Sequence, residues 1–452
     1  MLKRHSKFLP IIFTLLILFL TIIFFAKSSS EKAENLKSEI ETNKIKKNKL
    51  KANENKNESE ISKTQTETKT NDKDALVENF SNSLDNNLEN ETRAVWVTFM
   101  SLDMKDTRKD EEAFIQKINN MVKEIKENKL NTVFMHVRSH SDSLYPSKIY
   151  PWSEILTDTQ GKDPGYDPLR IMIEICHNNG LKIHAWLNPF RVRLGNIPKS
   201  VSKEHPFCIW QKSTDKELED ACVEISDREK FFNPASAKVR KLVIDGVKEI
   251  VTNYQVDGIH IDDYFYPTEK KDYDKTCYNR YTEKIKAPNK PLSIEEFRRA
   301  NINSLVSEIY TVIKFHNPNI KFGVSPTCNI DYDETTGADV ISWTQNYGYI
   351  DYICPEVYMN FNNPKFPYEK TVQNWKNLIK CKNLELYIGL GVYKAGSNLD
   401  NGTWKNENNI LAKEIKCGRE IGCNGFALYS FDSLTQNTAK DEVINVVKMF
   451  SP

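Results

Sequence analysis

Apolar and polar positions divide the chain into three textures. Residues 8–26 form an uncharged run of 19 residues dominated by Ile, Leu and Phe. Residues 28–91 are almost wholly Lys, Glu, Asn, Ser and Thr, as in Glu39-Ile-Glu-Thr-Asn-Lys-Ile-Lys-Lys-Asn-Lys49, with no heptad sustained over three repeats. After Thr92, short β-branched or aromatic runs alternate with longer stretches of helical periodicity. The pattern predicts three parts: a cytoplasmic tip and transmembrane segment (1–27), a disordered charged linker (28–91) and one folded domain (92–452).

Within the last part, strand-like runs fall at 94–98, 132–137, 182–187, 258–261, 321–325, 352–354, 386–390 and 425–429. Between and after them, helical periodicity covers 111–128, 168–179, 236–254, 293–316, 339–347, 368–380, 407–421 and 435–449. Asp167 before Pro168, and Asn179-Gly180, are start and stop signals for one of these helices. Eight strands, each followed by a helix, predict an α/β fold of the (β/α)8 TIM-barrel class, because open doubly wound sheets usually stop at about five to seven strands. Active sites of such barrels sit on the loops after the strands. The longest of these are expected after the second, third and fourth strands, at 140–166, 188–233 and 262–291.

The first seven residues, Met1-Leu-Lys-Arg-His-Ser-Lys7, place positive charge before the apolar run. That asymmetry predicts a single-pass membrane anchor with an extracytoplasmic domain, a cleaved and secreted form being the alternative. A lipoprotein signal is excluded, since no cysteine precedes Cys176. Lys and Arg number 63 against 62 Asp and Glu, so no long-range field favours nucleic acid as a partner. The nine cysteines form no CxxC pair, which argues against a zinc ribbon or a redox dithiol.

The chemistry concentrates on Asp257-Gly-Ile-His-Ile-Asp-Asp263. Strand side chains alternate faces, so Gly258, His260 and Asp262 share one face while Ile259, Ile261 and Asp263 share the other. The isoleucines suit the layer beneath the helices, which turns His260 and Asp262 into the barrel and sets Asp262 at its mouth. Asp262 is the first candidate catalytic carboxylate, and Asp263 a candidate for orienting it or binding a sugar hydroxyl. Cleavage of a glycosidic bond usually needs a second carboxyl, one group protonating the leaving oxygen while the other attacks or activates water. Glu356, in an aromatic setting after the sixth strand, is the candidate acid; Asp432, Asp331 and Asp333 are weaker ones.

Rings cluster near the strand ends, namely Trp152, Trp186, Phe190, Tyr264, Phe265, Tyr266, Tyr358, Phe361 and Tyr393. Flat rings stack on the apolar face of a pyranose. Tyr264, Phe265 and Tyr266, beside the carboxylates, are read as substrate contacts, whereas Trp96 and Phe134 are read as core. Candidate sugar-binding residues are His136, Arg138, His184, Trp186, Asn188, His260, Tyr264, Tyr358, Asn360 and Asp432. Four histidines on strands two to four raise a metal-dependent hydrolase as a rival, but the first strand lacks the His-x-His of barrel amidohydrolases. No metal or cofactor is expected. Neither a Gly-x-Ser-x-Gly elbow nor a nucleotide-binding glycine loop occurs.

In combination, Arg93-Ala-Val-Trp-Val97, Ala185-Trp-Leu-Asn-Pro-Phe-Arg191, Phe232-Asn-Pro234, Asp257 to Pro267, Phe322-Gly-Val-Ser-Pro326 and Ile350 to Tyr358 resemble the glycosyl hydrolase-like 10 family of bacterial cell-surface proteins. The resemblance covers nearly all of 92–450. It implies a (β/α)8 barrel acting on peptidoglycan glycan strands. The strand-four aspartate also looks like the nucleophile segment of several retaining barrel glycosidases. One departure stands out: the family pattern commonly has Gln where this chain has Glu356. Either this chain carries its acid where relatives do not, or the acid lies elsewhere and Glu356 binds substrate. The expectation is a surface-anchored glycosidase of cell-wall glycan, the alternative being a non-catalytic carbohydrate-binding or scaffold barrel.

Overall fold

The computed structural model describes residues 90–262, 265–405 and 407–451. The expected anchor, the linker up to residue 89, Asp263 and Tyr264 lie outside the described residues. No helix among the described residues is long and apolar enough to cross a membrane.

The described residues form eleven strands: β1 (Thr92–Val97), β2 (Thr132–Arg138), β3 (Lys182–Leu187), β4 (Arg191–Leu194), β5 (Cys222–Ser226), β6 (Glu229–Phe232), β7 (Gly258–Asp262), β8 (Lys321–Ser325), β9 (Tyr352–Ile353), β10 (Glu385–Gly391) and β11 (Gly425–Tyr429). Eight of them close a parallel barrel in the order β1-β11-β10-β9-β8-β7-β3-β2, sealed where Thr92 pairs with Gly425. All eight expected runs are barrel strands. The other three form an antiparallel sheet, β4-β6-β5, inside the stretch after β3 that the sequence pattern presented as loop. Glu91, assigned to the linker from its composition, is buried instead, with its carboxylate paired to the Arg419 guanidinium.

The helices form where their caps and stripes require. Asp110 caps Glu111–Glu127 by accepting from Ala113 N, and the buried stripe Phe114, Ile118, Met121, Val122 and Ile125 follows helical spacing. Pro168 opens the next helix behind the Asp167 cap, and Ser293 with Glu296 makes a reciprocal capping box on Ile294–His316. Outward strand residues such as Val95, Val133, Ile183, Ile259, Ile261 and Val324 pack with these helices in one continuous core.

Inward residues make a second, aromatic core of Ala94, Trp96, Phe134, Trp186, Tyr352, Cys354, Tyr387 and Ala427. Its rings fit because glycine faces them: a Cβ at Gly323 would overlap the Tyr352 ring, and one at Gly258 would lie 2.5 Å from the His184 ring. Trp96 and Phe134 are thus core, as expected. All nine cysteines are free thiols.

Candidate active site

Asp262, the last residue of β7, points inward with His260, as strand parity requires. It is 1% exposed and sits at the C-terminal mouth of the barrel. Two neighbours on the β3 side hold its oxygens: Trp186 Nε1 donates to Oδ2 at 3.2 Å and Asn188 Nδ2 donates to Oδ1 at 3.0 Å. Asn188 is itself fixed, its Oδ1 accepting from Arg191 N at 2.9 Å. Burial pushes the Asp262 carboxyl up to about 6, against the opposing pull of the Arg191 charge and the Asn188 and Trp186 hydrogen bonds.

Glu356 enters the same mouth from the other side. β9 is only two residues long, but its ladder continues as single bridges from Glu356 to Thr327 and to Gly389. The alternation therefore persists past Cys354, which faces inward, and delivers Glu356 to the inner face two residues on. Asp262 and Glu356 line one cavity of about 380 Å³, with Phe99, His136, His140, Trp186, Arg191, Tyr358, Tyr393 and Tyr429 among its walls. That volume lies within the range of about 300–1,000 Å³ usual for small-ligand sites.

The charges inside this cavity interact. Burial, then the Glu356 charge, pushes the Tyr393 phenol up to about 12. Tyr429 is raised by burial and by both Glu356 and Asp262, so it lies within reach of the two carboxylates. Both phenols stay protonated near neutrality and can donate hydrogen bonds. The His136 ring stacks on Trp186 with centroids 3.7 Å apart. The Arg138 backbone lies close to that ring, but no hydrogen bond of normal geometry reaches either nitrogen among the described residues. Burial, then the Arg191 charge, lowers the His136 pKa well below its ordinary value. The wall therefore offers a neutral imidazole.

Residues 91–406 match the family model described as glycosyl hydrolase-like 10. The chain belongs to this family. Glycosyl hydrolase YngK of Bacillus subtilis is 30% identical over 373 residues, which is 77% of this chain and 69% of YngK. Glycosyl hydrolase DigH of Escherichia coli is 31% identical over 284 residues, 59% of this chain and 63% of DigH, so the match spans less than two thirds of that relative. Among solved structures, the PgaB (BpsB) glycoside hydrolase domain from Bordetella bronchiseptica superposes with a TM-score of 0.50 at 10% identity, over 78% of this chain and 98% of that domain. This last likeness is one of fold. Family membership makes the chain an enzyme of the glycoside hydrolase class.

In this glycosyl hydrolase-like 10 barrel, several expected sugar contacts stand elsewhere. Arg138 does not reach the mouth. The β2–β3 register slips between His136 and Arg138, so Arg138 aligns with outward-facing Leu187. Its guanidinium lies 4.6 Å from the Tyr150 ring, against Gly246 of the helix Ala237–Asn253. His184 and His260 face inward as expected but lie below the mouth. Tyr352 OH bonds the Nδ1 atoms of both, each at 2.9 Å, and His260 Nε2 also receives Trp96 Nε1 at 3.2 Å. Asn360 braces a loop through Thr403 and borders a separate outer groove.

Phe265 and Tyr266, read as substrate contacts, are core: Phe265 packs edge-on to Trp343 and Tyr266 lies beneath the Arg298 guanidinium. Asp432 is exposed and accepts from Ser101 Oγ at 2.6 Å. Asp333 accepts from Thr327 N and Oγ1 and so organises the loop after β8, while Asp331 is exposed. Arg191, Phe99 and Tyr429 were missed as site residues. Arg191 left a trace in the sequence, as the last residue of the Ala185-Trp-Leu-Asn-Pro-Phe-Arg191 motif.

Proposed function

We propose that this enzyme hydrolyses glycosidic bonds of a cell-wall glycan, peptidoglycan strands foremost, from a domain held outside the cytoplasm by the anchor at 1–27. The observation that carries the reading is the shared cavity, where Asp262 and Glu356 meet among aromatic walls. A sugar ring stacked against Trp186 or Tyr358 would bring its glycosidic bond between the carboxylates. Asp262 acts in its ionised form as nucleophile or base, held in one orientation by Trp186 and Asn188. Glu356 delivers a proton to the leaving oxygen. Arg191, whose charge favours ionised Asp262, keeps that carboxylate available near neutrality. His136 and the Tyr393 and Tyr429 phenols supply polar contacts.

The choice of peptidoglycan rests on the family resemblance and on the membrane-proximal placement expected of the N-terminus. The test is incubation of the protein with purified glycan strands, with and without stem peptides, followed by mass spectrometry of the soluble products. Release of sugar fragments supports the reading. Binding without products would mark a carbohydrate-binding barrel instead.

A further inference from the structure

A second cavity lies outside the barrel mouth, at the start of the helix Ala237–Asn253. Its N-cap, Ser236, makes no capping hydrogen bond, and the first turn carries no acidic residue. The first-turn N–H groups, Ala237 to Val239, therefore project the positive end of a 17-residue helix without an internal counter-charge. The Ser236 hydroxyl is the second observation. It is 5% exposed, has no hydrogen-bond partner among the described residues, and lines a cavity of about 540 Å³ at this helix end.

The remaining walls supply charge and an apolar face. Lys238, Arg240, Lys241, Arg280 and Lys284 border the cavity against a single carboxylate, Glu217. Arg240 is fixed there by Nη1 donating to Pro234 O at 2.8 Å and Ala235 O at 3.0 Å, a role for the Phe232-Asn-Pro234 motif that catalysis does not use. Three cations have partners: Lys238 with Glu217 at 2.8 Å, Arg280 with Asp220 at 3.0 Å and Lys241 with Asp245 at 2.7 Å. Lys238 and Glu217 are largely exposed, and such surface pairs open at little cost. Tyr281 and Phe297, stacked with centroids 4.9 Å apart, make the apolar side. The cavity shares no lining residue with the mouth. Because the helix begins beyond β6, it opens on the face where the barrel strands end.

We propose that this cavity binds an oxyanion, phosphate or carboxylate, carried on a saccharide. The first-turn N–H groups and Ser236 Oγ hold the anion, the lysines and arginines balance its charge, and the Tyr281–Phe297 wall receives the sugar ring. The site is independent of the catalytic assignment.

Calorimetric titration of the full chain with inorganic phosphate, glucose 6-phosphate and glucose, at constant ionic strength, tests it. Saturable phosphate binding is expected, with glucose 6-phosphate a few-fold tighter from ring stacking and glucose silent. Ser236→Asp puts a carboxylate at the N-cap in the anion's place, so it should raise Tm while weakening phosphate at least about tenfold. Ser236→Ala, which adds no charge, should weaken it several-fold and serves if the aspartate variant misfolds. Absence of saturable phosphate binding overturns the proposal. So does binding that survives Ser236→Asp but is lost in Arg191→Ala, which would put the anion in the mouth. Equal affinity for phosphate and glucose 6-phosphate removes the saccharide from it.

Discussion

The barrel interior holds two layers built from the same residue types and put to opposite uses. In the lower layer, His260 is enclosed by Phe134, stacked at 4.3 Å, and bonded to Trp96, Tyr352 and Ser325. In the upper layer, His136 also lies flat on an aromatic ring, yet its nitrogens lack hydrogen bonds of normal geometry among the described residues and it faces the cavity of Asp262 and Glu356. Paired polar groups stiffen the lower layer; in the upper layer Asp262, held by Trp186 and Asn188, and the His136 ring both border the cavity. The difference teaches that inward orientation does not make a barrel residue functional. Height along the strand decides that.

The largest effect expected from breaking this contrast is at Asp262. Asp262→Asn should lower glycan cleavage by about 10³-fold or more while leaving the circular-dichroism spectrum unchanged. The same variant sharpens the electrostatic side. The Asp262 carboxyl rises from an ordinary 3.8 to about 6 in the fold. Its contribution to stability is therefore full below pH 3.8 and lost as pH climbs through about 6. At 1.36 kcal/mol per pH unit, Asp262→Asn should gain about 3 kcal/mol relative to the natural protein between pH 3.5 and 7.5, read from urea unfolding. Stability curves that run parallel across that range would remove the argument for a desolvated carboxylate.

Glu356→Gln comes next, with turnover about 10²-fold lower and Tm held. Restoration of its rate by a substrate with a good leaving group, which needs no proton, would identify Glu356 as the acid. The two histidines should then part company. His260→Ala leaves Trp96 Nε1 without its partner and should cost about 2 kcal/mol of stability. His136→Ala should cost less than about 1 kcal/mol but reduce kcat/KM about tenfold. The reverse pattern would erase the distinction between the layers.

Much of this arrangement was legible in the sequence because a strand's period of two is rigid. Alternation alone turned Asp262 inward, kept Ile259 and Ile261 beneath the helices and set Trp96 in the core. It failed where something local broke the period or where depth mattered. The slip after His136 rotated Arg138 out of the site, a one-residue irregularity with no compositional mark. His184 and His260 were assigned the correct face, but at positions two or more residues short of their strand ends they lie too deep. Phe265 and Tyr266 left the mouth because the chain there packs its rings against Trp343 and Arg298, long-range partners that a local pattern does not reveal. Arg191 depended on the antiparallel β4-β6-β5 sheet, whose strands of four or five residues are too short to separate from loop by periodicity.

The central claim, that the buried carboxylate at the end of β7 drives cleavage, is tested most directly by the pH dependence of kcat/KM on purified glycan strands. Because Asp262 acts ionised and burial lifts its carboxyl to about 6, kcat/KM should climb with pH through an inflection at about 6 and fall again only at higher pH, where Glu356 loses the proton it delivers. A kcat/KM that is flat from pH 5 to 7, or that falls across that interval, would contradict the account.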